Sequence, residues 1–169
     1  MNINQHQGFT LLELIITIGI VGITMAFAIP GMGIFVKNER LTSSTNSLLT
    51  DLMLARSKAV ERNQPVIICA SSDQASCTGG SFEDGWIVTV DTDSDGTGDQ
   101  IIKVQQAITG NISYKQAGLS SVTFDNRGFL PTDANTGTIS ICDDRGNDHA
   151  KTISLSPTGR ASRGADPSC

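Results

Sequence analysis

Four groups of side chains in this sequence could do chemistry by type and spacing. The first is a single carboxylate, Glu13, inside an apolar run from Phe9 to Ile29 that is 21 residues long and holds no other charge. A carboxylate in such a run costs roughly 2.5–3.5 kcal/mol on membrane-insertion scales, so it needs a partner or a task. The second is Asp91, Asp93, Asp95 and Asp99, which alternate with Thr, Ser and Gly; carboxylates spaced in this way can wrap oxygen ligands around Ca²⁺. The third is the set of cysteines Cys69, Cys77, Cys142 and Cys169. The fourth is a basic stretch, His149, Lys151, Arg160 and Arg163, with no acidic residue between Ala150 and Ala165.

Each group has a plainer alternative. The twelfth position of a calcium loop starting at Asp91 falls on Ile102, which has no carboxylate, and no helix is predicted on either side. A polar hairpin turn is therefore the favoured reading of Asp91–Asp99, with calcium as the alternative. For the cysteines three disulfide connectivities are open. The favoured one joins Cys69 to Cys77 across a short loop and Cys142 to Cys169, which pins the C-terminal end. Zinc is disfavoured because no Cys-x-x-Cys pair occurs and His6 and His149 are poorly placed to help. The basic stretch can be a solvated edge strand whose charges discourage sheet-to-sheet pairing, or a phosphate-binding surface. No Ser/His/Asp set, paired-carboxylate motif or phosphate loop stands out, so no enzymatic activity, cofactor or metal is expected.

The elements that would position these groups follow from periodicity. The run Phe9–Ile29 suits a span of the hydrocarbon core, which needs ~20 residues. A secretory signal ending near Ala26-Phe27-Ala28 fits less well, because its apolar region would be only ~7–15 residues long and would follow a basic start. The sequence has no Lys or Arg before Lys37. Beyond Pro30, Leu41, Thr45, Leu48, Leu52, Ala55 and Ala59 recur at helical steps, and Leu49, Met53 and Val60 widen the stripe; Arg40, Asp51, Arg56, Lys58, Glu61 and Arg62 fall mostly off it. The helix should end near Arg62-Asn63, since Pro65 cannot continue it. Phe9 to Arg62 would form a helix of roughly 80 Å. After it the period changes to two, and strands are predicted at Val66–Cys69, Trp86–Val90, Ile101–Val104, Val122–Phe124, Thr138–Cys142 and Thr152–Leu155. In the last two, apolar residues alternate with Ser or Thr, which predicts one wet face. Turn residues such as Gly128, Pro131 and Gly159 separate these strands. The fold class is α+β, with an antiparallel β domain, as one sheet or two small ones, packed on the amphipathic half of a long N-terminal helix. The net charge of −5 argues against a general nucleic-acid binder.

Gly8-Phe9-Thr10-Leu11-Leu12-Glu13-Leu14 resembles the class III signal of type IV pilins and type II secretion pseudopilins. The resemblance implies cleavage after Gly8 by a prepilin peptidase and N-methylation of Phe9 by its methyltransferase activity. It also implies that Glu13 pairs with a neighbouring subunit's N-terminal amine, with a proline at Pro30. The leader lacks the basic residue usual in this family. Further along, Asp84-Gly85-Trp86-Ile87-Val88, Val122-Thr123-Phe124-Asp125-Asn126-Arg127-Gly128, Thr138-Ile139-Ser140-Ile141-Cys142-Asp143 and Ile153-Ser154-Leu155-Ser156-Pro157-Thr158-Gly159-Arg160 follow one another as in the GspH/FimT family of minor pilins and minor pseudopilins. The resemblance implies a leader at 1–8, a transmembrane and assembly helix at 9–36, an amphipathic periplasmic helix at 37–63 and a β-rich domain at 64–169. Its implied partners are other major and minor pilins or pseudopilins, the inner-membrane assembly platform and inner-membrane lipid, and its destination is a pilus or pseudopilus fibre. Some minor pilins of this branch are linked to DNA uptake through arginines after the terminal glycine. Gly159-Arg160-Ala161-Ser162-Arg163 resembles that sequence with its second arginine one place late, and Lys151 is the remaining DNA-contact candidate.

Overall fold

The computed structural model describes residues 9–115, 120–130, 137–165 and 168–169, with the side chains of 28–31 excepted. Gly8 and Pro131 lie outside the described residues, and so does the side chain of Pro30. Two compact units are formed, one up to Val36 and one from Lys37 to Cys169.

The helix α1 runs Leu11–Arg62. In the first unit its side chains from Leu11 to Phe27 are all exposed, including every Leu, Ile, Val and Phe. Among the described residues no single helix is long and apolar enough to cross a membrane; Leu11–Phe27 and Met32–Arg62 meet that requirement only as a pair broken at the residues between them. The exit from α1 is set by Asn63, whose φ of 53° is the left-handed conformation that ends helices. Its amide and that of Gln64 donate to Val60 and Ala59 carbonyls, and Pro65 follows.

Among its described residues the second unit carries eight strands: β1 Val66–Ala70, β2 Gly85–Val90, β3 Gln100–Gln106, β4 Ser113–Lys115, β5 Ser121–Phe124, β6 Gly137–Cys142, β7 Lys151–Leu155 and β8 Ala161–Arg163. They form two antiparallel sheets, ordered β3-β2-β1-β5 and β4-β6-β7-β8. The inner faces of both sheets share one core with the helix. Leu41, Leu48, Leu52, Ala55 and Ala59 meet Val66, Ile68, Trp86, Val88, Val122 and Phe124 of the first sheet, and Ile139, Ile141, Ile153 and Leu155 of the second. Trp86, Phe82 and Tyr114 contact one another ring to ring, Trp86 edge-on to both partners. Burial of this many large apolar side chains, each contributing about 1.5–3 kcal/mol, dominates the stability.

The structure departs from the sequence reading in three places. Met53 and Val60 do not widen the buried stripe; they are about half exposed, because the sheets cover only the Leu48–Leu52–Ala55–Ala59 side of the helix. Asp51 does not lie off the stripe. It is fully buried, three residues after Leu48 and four before Ala55, and is neutralised inside the fold. The polar faces of β6 and β7 are not wet at their centres either: Ser140 and Thr152 are buried. The C-terminal segment folds back over them. Gly164 donates to the Thr152 carbonyl at 3.0 Å, Thr152 donates to the Ala165 carbonyl at 3.3 Å, and the Ser168 amide donates to Ser140 Oγ at 3.0 Å. A disulfide between Cys142 and Cys169 holds the segment there. A second disulfide joins Cys69 to Cys77. Cys69 belongs with Ile67 and Ile87 to a small cluster on the outer face of the first sheet, so this bond anchors the Ser71–Gly80 loop at that face.

Candidate functional site

Phe9 and Thr10 precede the first turn of α1. Thr10 is its cap: its hydroxyl oxygen accepts from the Glu13 amide at 3.3 Å, and its carbonyl accepts from the Leu14 amide at 3.2 Å. Thr10-Leu11-Leu12-Glu13 has the spacing of a capping box, a helix-start signal that explains why the helix begins immediately after Thr10. Glu13 is consequently fixed at the third helical position, where a negative charge is favoured by the helix dipole. Among the described residues its carboxylate has no hydrogen-bond or ion-pair partner. The hydroxyls of the apolar segment are satisfied within it. Thr17 donates to the Leu14 carbonyl at 2.8 Å and Thr24 to the Ile20 carbonyl at 3.0 Å. A helix of this kind asks nothing of water except at Glu13. At Gly19 and Gly22 a side chain would meet nothing within 4 Å, so the surface there is open to a closely approaching helix.

The basic candidates separate into two places. Lys151 and Arg163 line one cleft of about 330 Å³ together with Thr42, Thr45, Thr152 and Gly164. Arg163 also donates to Asn46 Oδ1 on the helix at 2.8 Å. Arg160 lies in a different depression, beside Met53, Arg56 and Val60. The two depressions lie against different turns of α1, that of Lys151 and Arg163 beside Thr42 and Thr45 and that of Arg160 beside Met53, Arg56 and Val60. His149 is exposed in a 3-10 turn, Asn147–His149, and is not part of either cleft.

The two motifs that end in glycine are structural. Asp125 Oδ1 accepts from the amides of Arg127 at 2.9 Å and Phe129 at 2.8 Å, forming a turn around Gly128. Ser156 and Gly159 close a second turn at 2.9 Å. The turns interlock. Leu130 donates to the Pro157 carbonyl at 3.0 Å, and Arg56 Nε donates to the Gly128 carbonyl at 3.1 Å. A side chain at Gly159, whose φ is +73°, would run into the Gly128 carbonyl oxygen.

Asp51, which the sequence reading missed as a core residue, is the buried polar centre. Its Oδ2 accepts from Trp86 Nε1 at 2.9 Å and its Oδ1 from Lys103 Nζ at 2.5 Å. A polar residue at a core position of the helical stripe was the available signal. At the far side of the second unit, the Arg145 guanidinium bonded to Asp143 holds that carboxyl below the usual carboxylate range. The Asp91–Asp99 segment forms the connection between β2 and β3, so it is a hairpin loop.

Residues 44–159 match the family described as Type II transport protein GspH, and residues 3–29 match the prokaryotic N-terminal methylation motif. The chain belongs to the GspH family. GspH-family membership fits the sheet pair on a long helix, and two solved structures share that architecture. One is a crystal structure of the Pseudomonas aeruginosa (strain PAO1) type IV minor pilin FimU, with 24% identity, a TM-score of 0.62, and 78% of this chain and 92% of that one covered. A second crystal form of FimU gives 23% identity, a TM-score of 0.59, and 74% and 93% coverage. At these identities the likeness establishes the fold. No curated protein matches the chain. The fold is thus the pilin-like α+β arrangement expected from the sequence, with two four-stranded sheets.

Proposed function

We propose that this GspH-family chain is a low-abundance minor pilin that joins or primes a type IV pilus through its N-terminal helix. The observation that carries this reading is the Leu11–Phe27 segment, apolar and exposed on every side, with one carboxylate at its first turn that has no partner among the described residues. Such a surface is stable only in lipid or among neighbouring helices. Cleavage after Gly8 by a prepilin peptidase would create an amine at Phe9, four residues from Glu13. In the membrane Glu13 is costly alone. Beside a neighbouring subunit's N-terminal amine it becomes one half of an ion pair, and this difference favours transfer from lipid into the fibre. The inner membrane, with residues from Lys37 onward in the periplasm, is the corresponding location before assembly, and the inner-membrane platform is the machine that would extract it. Two disulfides in the second unit agree with an oxidising compartment.

The test is surface piliation in a strain lacking only this chain, read by shearing and counting fibres. Loss of pili, restored by the wild-type chain, is expected. Normal piliation with impaired exoprotein secretion would instead identify a minor pseudopilin of a type II secretion system, the alternative that the family description favours.

A second reading rests on the cleft that Lys151 and Arg163 line together. Two cations and three hydroxyls around one concavity suit a phosphate of DNA. A gel shift with Arg163→Ala and Lys151→Ala chains should lose binding while Arg160→Ala retains it; unchanged binding in the first two would remove this cleft from consideration.

A further inference from the structure

The connection between β2 and β3 is built more elaborately than a polar turn requires. One ligand oxygen from each of Asp91, Asp93 and Asp99 lies within 4.8 Å of the others. Asp91 is buried while Asp93 and Asp99 are exposed, so the cluster has a floor and an open side. The buried Asp91 accepts through Oδ1 from the Asp95 amide at 3.2 Å and through Oδ2 from the Gly96 amide at 2.9 Å, which curls the loop around its carboxylate. Asp99 Oδ2 accepts from the Thr92 amide at 2.7 Å. Among the described residues no Lys or Arg forms an ion pair with any of these carboxylates.

An independent observation lies under the loop. Thr89 is fully buried, and its hydroxyl has no hydrogen-bond partner among the described residues. Strand alternation places Thr89 on the same face of β2 as Asp91, one pleat away. The ladder shifts register between Val88 and Thr89, and such irregularities re-aim side chains. The Thr89 side chain is turned up against Gly98, the residue that leads into Asp99: its hydroxyl is 2.5 Å from where a Gly98 side chain would begin. A buried hydroxyl without a partner is uncommon in folded proteins and calls for an unseen water or ion.

We propose that the Asp91–Asp99 loop is a site for a hard divalent cation of the calcium type, held by Asp91, Asp93 and Asp99, with the Thr89 hydroxyl meeting a water of the ion's shell from below. Calcium takes 6–8 oxygen ligands in flexible geometry, so three carboxylates leave room for backbone carbonyls and water. Magnesium demands tighter octahedral geometry and sheds water reluctantly, and an open hairpin loop with a single buried ligand suits it less. The expected affinity is that of extracellular modules, roughly 10⁻⁴–10⁻³ M. The ion would fix the β2–β3 hairpin end only in a calcium-containing exterior.

The test uses the full chain in detergent, titrated calorimetrically with CaCl₂ after chelation and melted with and without 10 mM CaCl₂. One calcium per chain is expected, with a rise in Tm that MgCl₂ at equal ionic strength does not reproduce. Asp93→Asn and Asp99→Asn, both at exposed positions, should fold as the wild type does without calcium and weaken binding at least tenfold. Thr89→Val keeps the shape and should reduce affinity by a smaller factor. Absence of heat and of any Tm change in the wild type, an equal response to MgCl₂, or undiminished binding in Asp93→Asn and Asp99→Asn would each overturn the proposal.

Discussion

Replacing Asp51 by Ala tests how this fold tolerates a carboxylate at the centre of its core. Asp51 and Trp86 are both fully buried, and the Trp86 indole N–H has Asp51 as its acceptor at 2.9 Å. Removing the acceptor strands that donor, at a cost of about 1–3 kcal/mol. The bond to Lys103 is also lost. Its ammonium side chain is 40% exposed and regains water, so this loss adds only about 0.5–1 kcal/mol. A total near 3 kcal/mol corresponds to a Tm lower by about 10 °C for a unit of this size. Asp51→Asn keeps an oxygen for Trp86 and should cost only about 1 kcal/mol. Lys103→Met, which leaves the buried carboxylate without its counter-charge, should cost more than Asp51→Asn. The assay is thermal and urea unfolding of the full chain in detergent, followed by Trp86 fluorescence. Asp51→Ala within about 0.5 kcal/mol of wild type, or Asn as damaging as Ala, would refute the argument that the indole bond is the main contribution.

Other consequences follow from single contacts. Gly159→Ala should destabilise by more than about 2 kcal/mol in urea unfolding, because strain at positive φ adds to overlap with the Gly128 carbonyl; Gly146→Ala, also at positive φ but with nothing within 4 Å, should cost only about 1 kcal/mol. Opening the Cys142–Cys169 bond, which spans 27 residues, should cost up to about 3.5 kcal/mol, and opening Cys69–Cys77, which spans 8, up to about 2.5 kcal/mol; melts of the paired Cys→Ser chains check the order. The carboxyl of Asp143 is depressed in the fold by its bond to Arg145, so its contribution is complete above the ordinary carboxylate pKa of about 4 and is lost as pH falls through the lower folded value. Stability should therefore be level from about pH 5 to 7 and decline in acid, with a shallower acid decline in Asp143→Asn.

Much of this architecture was legible because it rests on local periodicity. The apolar run, the helix end before Pro65 and the six longer strands each carry their own signal. Strands β4 and β8 were harder, being three residues each; Tyr114 is the only buried side chain of β4 and Ala161 of β8. The burial of Asp51 was readable in principle, since it falls in step with Leu48 and Ala55, but its charge argued the other way until a Trp and a Lys from neighbouring strands were in place. The Cys142–Cys169 pairing was the favoured one, but that the segment it holds would cover the outer faces of β6 and β7 is a matter of long-range packing that no local pattern reports. Among the site residues, Lys151 and Arg163 come together beside Thr42 and Thr45 of α1 while Arg160 lies beside Met53 and Val60, and which turn of the helix each residue meets is fixed by long-range packing rather than by the order of residues.

The central claim is that the exposed apolar helix and the carboxylate in its first turn deliver this chain into a fibre. The most direct measurement compares wild-type and Glu13→Ala chains for leader processing, by mass spectrometry of the N-terminus, and for recovery in sheared fibres, by immunoblot. The account predicts normal cleavage after Gly8 in both and a loss of the Glu13→Ala chain from the fibre fraction, with the protein retained in the membrane. Equal recovery of both chains in sheared fibres would contradict it.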